Sequence, residues 1–401
     1  MNKKVVFFIL LVIFSLSTYT SFSYFSGGVK EGFLSPLFVG QAKKITNNGG
    51  IIDTLETDNE PKTEECPING EMLSKTLKDK WEKRRPLGVM IENHLEARLQ
   101  SGLSSADVVY EAVAEGGITR FLAIFYCHDA SYVGPVRSAR IYFMKFLEEY
   151  GLYPLYAHVG GANCDRETGS GCANGAKADA LGMISKLGWA LYNDLNQFAV
   201  PFPYYWRDYE RLKDVATEHT VYISTSKIWD YAKTKRALTN VDEESVSWDK
   251  TYTKWEFKND EPLEKRGAVA KISFSFWSNF ENDYAVNWVY DKASNSYKRI
   301  NGGKAHLDKN TNKQLTAKNV AVVLADEALA NDDYPGGHIL YDILGTGDAY
   351  VFQDGKAIKA TWKKADDETK MRFYDETGNE ISMVRGKIFI ELLPTGNKVT
   401  Y

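Results

Sequence analysis

The sequence has no surplus of positive charge. Its 49 Lys and Arg against 53 Asp and Glu give a formal charge of −4, which argues against general nucleic-acid binding, because that needs a basic surface. It has no Walker-type phosphate loop and no G-x-S-x-G elbow, so Ser101 stands as a serine without a recognisable triad. No internal repeat period runs through it. Cysteine is scarce, with four in 401 residues, and their spacing matches no common zinc motif. No motif specifies a reaction or a substrate, and no cofactor is evident.

The N-terminus is informative. Lys3 and Lys4 precede an apolar run over residues 5–16 and a mixed tail to Phe25. This is a signal peptide, with Ser21 and Ser23 as small residues for a cleavage site, or an uncleaved signal anchor over 1–26. Either way the rest of the chain is expected outside the cytoplasm, with the two lysines inside. The first cysteine is Cys66, so the expectation is anchoring by the apolar helix, or secretion after cleavage, rather than lipid attachment. Cysteines suit an exported protein. Cys164 and Cys172 flank a polar, glycine-rich loop and are a disulfide candidate. A zinc site using both with His158 is the competing reading. Cys66 and Cys127 are able to pair, but sequence does not set the connectivity.

Residues 27–84 read as a tether, rich in Ser, Gly, Asn, Glu, Thr and Lys and without apolar periodicity; CPING (66–70) is the first point where order is expected. Residues 85–237 alternate strands and helices and are expected to form an α/β domain. A strand over 87–91 is followed by a hairpin over 107–126, turning at Gly116 and Gly117. A helix over 139–150 is capped by Ser138 and stopped by Gly151. A strand over 153–159, helices over 179–193 and 226–237, and a strand over 220–223 complete it. Residues 238–267 read as a linker. From 268 to 401 short strands divided by turns predict a mostly antiparallel β domain. Aromatics reach 13%; Tyr and Trp suit sugar platforms, but they also fill cores.

Charged and glycine residues crowd beside apolar runs over 85–161, as in site loops on a packed scaffold. Arg137 and Arg140 bracket the expected helix start, where unpaired N–H groups favour anions. Arg120 opens the second hairpin strand and Arg98 lies in the loop before the hairpin. The same arginines would equally pair structurally with Glu92, Asp107, Glu111 and Glu115. Arg207 and Arg211, four residues apart, would share a helical face, with a solvated charged face as the alternative. His94 and His158 follow strands, where α/β folds place ligands, so each is a candidate general base or metal ligand. His219 is a further candidate polar site. Asp107 is the carboxylate to test first, as a holder of a divalent metal such as Mg²⁺ or of an acceptor hydroxyl.

Several segments together resemble the YerB-like lipoprotein family of bacteria: CPING, RRPLGVMIENH (84–94), ARLQSGLSSADVVYEAVAEGGITRF (97–121), GPVRSAR (134–140) and HVGG (158–161). In the second half YKRINGGKAHLD (297–308), QLTAKNV (314–320), GTGDAYVF (345–352), DGKAIKATWKK (354–364) and FIELLP (389–394) also match. The resemblance covers about 66–237 and 268–401 and implies two consecutive domains of unknown function. At His219 the family's P-H-N is replaced by Glu218-His219-Thr220. The family's lipoprotein members carry a lipid-modified N-terminal cysteine, which this chain lacks. The order of strand, loop, Asp-led strand, strand, P-x-R and helix also looks like the LytR-CpsA-Psr enzymes, which handle polyprenyl-diphosphate-linked glycans; only Asp107, Arg137 and Arg140 fall in comparable places.

Two functions stay open. One is a non-enzymatic envelope protein that binds a cell-wall glycan or another envelope protein. The other is a transferase or hydrolase acting on a phosphorylated, lipid-linked glycan, with Arg120, Arg137 and Arg140 holding the diphosphate.

Overall fold

The computed structural model describes residues 60–401. The expected signal or anchor segment and residues 27–59 of the expected tether lie outside the described residues. The remainder of that tether, 60–84, is folded. Strands β1 (Lys62–Glu65) and β2 (Met72–Ser74) form an antiparallel pair, and helix α1 (Lys75–Trp81) follows, with the Ser74 hydroxyl accepting from the Leu77 amide at 3.3 Å. Composition missed this because the segment is held by two buried contacts. Cys66 is disulfide-bonded to Cys127, and Trp81 is buried.

The strands that follow are β3 (Leu87–Glu92), β4 (Val108–Glu115), β5 (Ile118–Phe125), β6 (Leu155–His158) and β7 (Asp194–Asn196). The β4–β5 hairpin turns at Gly116 and Gly117, both with positive φ, as a tight two-residue turn requires. At Gly117 a Cβ would sit 2.1 Å from the Phe280 ring, so this glycine also lets the second half of the chain close on the turn. Helices α2 (Ile141–Leu147), α3 (Ala180–Lys186) and α4 (Thr225–Arg236) are short, and β8 (Tyr205–Arg207) pairs with β9 (Val221–Ile223). The segment expected to be α/β is therefore mostly strand and irregular chain with few helices. The 139–150 helix begins late, at Ile141, and Ser138 does not cap it. Residues 136–139 are held extended instead: the Arg137 amide donates to Met90 O at 2.9 Å and the Ala139 amide to Gly160 O at 2.9 Å.

The second half supplies β10 (Lys271–Phe274), β11 (Val286–Asp291), β12 (Ser296–Asn301), β13 (Asn319–Leu329), β14 (Ile339–Asp342), β15 (Gly345–Gln353), β16 (Lys356–Lys364), β17 (Arg372–Asp375) and β18 (Ile388–Pro394). Both halves build one eleven-stranded sheet, ordered β17-β16-β15-β13-β18-β4-β5-β3-β6-β7, with β14 also on β13. Its join is β18, which runs parallel to β13 on one side and to β4 on the other. A smaller sheet contains β10, β11 and β12.

Strand alternation sends neighbouring residues of β4 to opposite faces. Tyr110 stacks on Phe146 of α2, with ring centroids 4.5 Å apart, while Glu111 meets Arg299 of β12. The large sheet is thus covered by α2 on one face and by the smaller sheet on the other. The largest buried side chains are chiefly aromatic, Trp255, Trp288, Tyr110 and Tyr150 among them, so much of the high aromatic content fills cores.

Between the two sheets lies a buried polar network. Arg299 bonds to Glu111 and to His306 Nδ1, the latter at 2.6 Å, and His306 Nε2 meets Gln100 Oε1 at 2.9 Å. Burial, with the Arg299 and Arg98 charges, holds His306 well below the usual imidazole range. Glu391 of β18 accepts from the Trp288 indole at 3.0 Å. Burial and the adjacent Glu111 push its carboxyl far up, and Arg299 does not offset them. Asn93 Oδ1 accepts from Arg98 Nε (3.1 Å), Gln100 Nε2 (2.9 Å) and Asn301 Nδ2 (2.9 Å), so the loop after β3 is tied to the second half.

Candidate functional site

The C-terminal end of β3, the hairpin turn and the approach to β9 enclose a cavity of about 290 Å³ lined by Glu92, His94, Glu96, Glu115, Arg120, Arg137, Glu218 and His219. Each element aims one of these by register. Glu92 and Arg120 are cross-strand partners on β3 and β5. The extended 136–137 segment lies beside β3, and the Val136 amide donates to Val221 O at 2.8 Å, which brings the turn before β9 alongside. His219 ends that turn, Thr217–His219.

Two carboxylates organise the charges. Glu92 accepts from Arg137 Nε at 2.9 Å and from His219 Nδ1 at 2.6 Å. Burial opposes its ionisation, yet the His219 hydrogen bond and the Arg137 and Arg120 charges outweigh that and hold it below the usual carboxylate range. The same hydrogen bond raises His219 against the opposing effect of burial. Glu115 accepts from Arg140, with Nε–Oε2 at 2.9 Å, and lies 3.5 Å from an Arg120 terminal nitrogen. Burial would raise it, but the Arg120 and Arg140 charges bring it down to about 2. Arg120 also donates to Ser138 O at 3.0 Å, while its Nε is buried without a hydrogen-bond partner. Arg137 donates through Nε alone; its terminal nitrogens have no hydrogen-bond partner among the described residues. His94 and His219 stack with centroids 4.9 Å apart and planes 8° from parallel.

The structure thus brings together Arg120, Arg137, Arg140, His94 and His219. Asp107 is elsewhere, a correction to its expected nearness to the arginines. Arg120 pairs with Ala112 on β4, whereas Asp107 precedes that strand at its far end and its amide bonds Ile124 O. Its carboxylate accepts from the Tyr126 amide (2.7 Å), the Cys127 amide (2.9 Å), His128 Nδ1 (2.7 Å) and Asn69 Nδ2 (3.3 Å), holding the turn that carries the Cys66–Cys127 disulfide. Arg98 reaches the second half, over the Tyr284 ring at 4.8 Å.

His158 is buried with both ring nitrogens engaged, Nε2 by Asp194 and Nδ1 by Gly160 O, each at 2.6 Å. Cys164 and Cys172 are bonded to each other, which removes both thiols from the alternative zinc reading. Arg207 and Arg211 share no helix. Arg207 ends β8 and bonds the Thr217 carbonyl; Arg211 lies in a turn and donates to Ser101 Oγ at 2.8 Å, stacking over Tyr132. Of the cavity residues, Glu96 had no signal in the sequence, since a lone glutamate after a histidine is ordinary.

Residues 74–238 match the family model described as protein of unknown function (DUF3048), N-terminal domain, and residues 276–390 match its C-terminal domain. Over 320 residues the chain is 30% identical to the putative lipoprotein YerB of Bacillus subtilis, covering 78% of this chain and 82% of the relative. The chain belongs to the DUF3048 family. The crystal structure of B. subtilis YerB superposes with a TM-score of 0.65 at 26% identity, covering 84% of this chain and all of that one. Both DUF3048 domains meet in the one large sheet, because β18 of the second pairs with β4 of the first. The YerB relative is called a putative lipoprotein, whereas an apolar anchor without lipid is expected from residues 1–26, which lie outside the described residues. No helix among the described residues is long and apolar enough to cross a membrane.

Proposed function

We propose that this DUF3048 protein works outside the cytoplasm as a binding protein for a hydroxyl-rich envelope glycan, held in the Glu92–Arg137–His219 cavity. The observation that carries this reading is the matching of charge inside the cavity. Four glutamates line it beside two arginines, and Arg137 and Arg120 each face one of them. Fixed acceptors and donors side by side suit hydroxyls, which need both. A diphosphate entering the same space would meet the Glu92 and Glu115 carboxylates, both held ionised, at a Coulombic cost. Nor does a helix start there to receive it, since α2 begins only at Ile141. The YerB relative's description as a putative lipoprotein supports an envelope location.

The test is isothermal titration of the full chain in detergent with soluble cell-wall glycan fragments and, separately, with a polyprenyl-diphosphate analogue. The expected result is glycan binding that weakens about tenfold or more in Arg137→Ala, as removal of a charged hydrogen-bond donor implies. Equal affinity in both proteins, or no glycan binding at all, would overturn the reading. Tighter binding of the diphosphate analogue would favour the transferase or hydrolase alternative.

A further inference from the structure

We propose that the rim of this cavity is a binding site for a divalent first-row transition ion, Zn²⁺ above all, with His94, Glu96 and His219 as ligands. One ligand atom from each lies within 4.8 Å of the other two. His219 Nε2 and Glu96 Oε2 lie 3.5 Å apart. Two donors at that separation, each about 2.1 Å from an ion, subtend about 113°, close to a tetrahedral angle of about 109°. The third ligand has only to swing inward. His94 is partly exposed and opens the 3₁₀ turn Leu95–Ala97, so its ring is not locked in a core.

His219 is already oriented for this, while His94, stacked on it with the ring planes 8° from parallel, has to turn. Glu92 accepts from His219 Nδ1 at 2.6 Å, which leaves Nε2 as the coordinating nitrogen of the neutral ring. A carboxylate behind a ligating histidine is the usual outer support of a zinc site. His94 accepts from the Glu96 amide through Nδ1 at 3.3 Å, so Nδ1 carries its lone pair, and an ion would take the place of that long contact. Glu92 is buried and Arg137 holds its other oxygen, so the support is rigid while Glu96 is solvent-exposed. Three protein ligands beside an open cavity leave a fourth position for water or a bound hydroxyl. Two imidazoles favour zinc or a neighbouring transition ion over Mg²⁺, which prefers oxygen donors and keeps its waters.

This inference does not rest on the glycan reading, because metal binding is measured with no glycan present. The full chain, purified and stripped with a chelator, is titrated with Zn²⁺ and separately with Co²⁺, whose visible bands report four-coordinate geometry. One ion per chain is expected. His94→Ala and Glu96→Ala, both at accessible positions, should each lose that stoichiometric binding while circular dichroism stays unchanged. Glu92→Gln, which leaves all three ligands, should weaken it about 10–100-fold. Absence of one-to-one binding in the wild type, or its survival in both His94→Ala and Glu96→Ala, would overturn the site.

Discussion

Replacing Glu115 with glutamine keeps the shape of the side chain and removes its charge from between Arg120 and Arg140. In the folded protein the carboxyl is brought from an ordinary 4.5 down to about 2, with 22% of the side chain exposed. A depression of that size corresponds to about 3 kcal/mol of stability at pH 7. The sign follows from proton uptake. The unfolded chain binds the proton as pH falls below about 4.5, while the folded chain resists until about 2, so the contribution is complete above the first value and is lost between the two. At pH 3 about 1 kcal/mol should remain. Paired denaturant titrations of the wild type and Glu115→Gln, followed by the tryptophans, would measure the difference at pH 7 and pH 3. A destabilisation that is the same at both pH values, or smaller than about 1 kcal/mol at pH 7, would refute the assignment of this shift to the arginine pair.

The two disulfides should differ in worth. Cys66–Cys127 spans 61 residues and Cys164–Cys172 spans 8, so loop-closure entropy gives about 4 kcal/mol for the first against about 2.5 for the second. Thermal unfolding of the two double-serine variants should rank them in that order, and the reverse ranking would count against the entropic account. Arg299→Ala leaves Glu111 buried without its cation, which should destabilise the protein by about 3–5 kcal/mol. Adding Glu111→Gln should recover part of that loss in the same denaturation assay; no recovery would show that Arg299 acts by packing alone.

The hairpin was legible because Gly116 and Gly117 punctuate two runs rich in β-branched and aromatic residues. The carboxylate partners of Arg120, Arg137 and Arg140 were legible as types; Glu92 and Glu115 fill that role, while Asp107 holds a turn and Glu111 pairs with Arg299 instead. Counting from the turn explains the difference. Arg120 stands three residues after it and Asp107 nine before, so the hairpin holds them at opposite ends. The buried network around Arg299 was not legible. It depends on β18 meeting β4 across more than 270 residues of sequence, and parallel pairing of distant strands leaves no local signal. The folded segment at 60–84 was hidden for a related reason, since its anchor is a disulfide to Cys127.

The last strand of the chain fills a central slot of the large sheet, parallel to β13 on one side and to β4 on the other. While the chain is being synthesised, the first half therefore presents one edge of β4 bare, with its hydrogen-bonding groups unpaired, a template for mispairing. The sheet closes only when residues 388–394 arrive. Ending the chain before Ile388 would remove the seam of the protein rather than a tail, and the two family domains made as separate polypeptides would each carry an open edge.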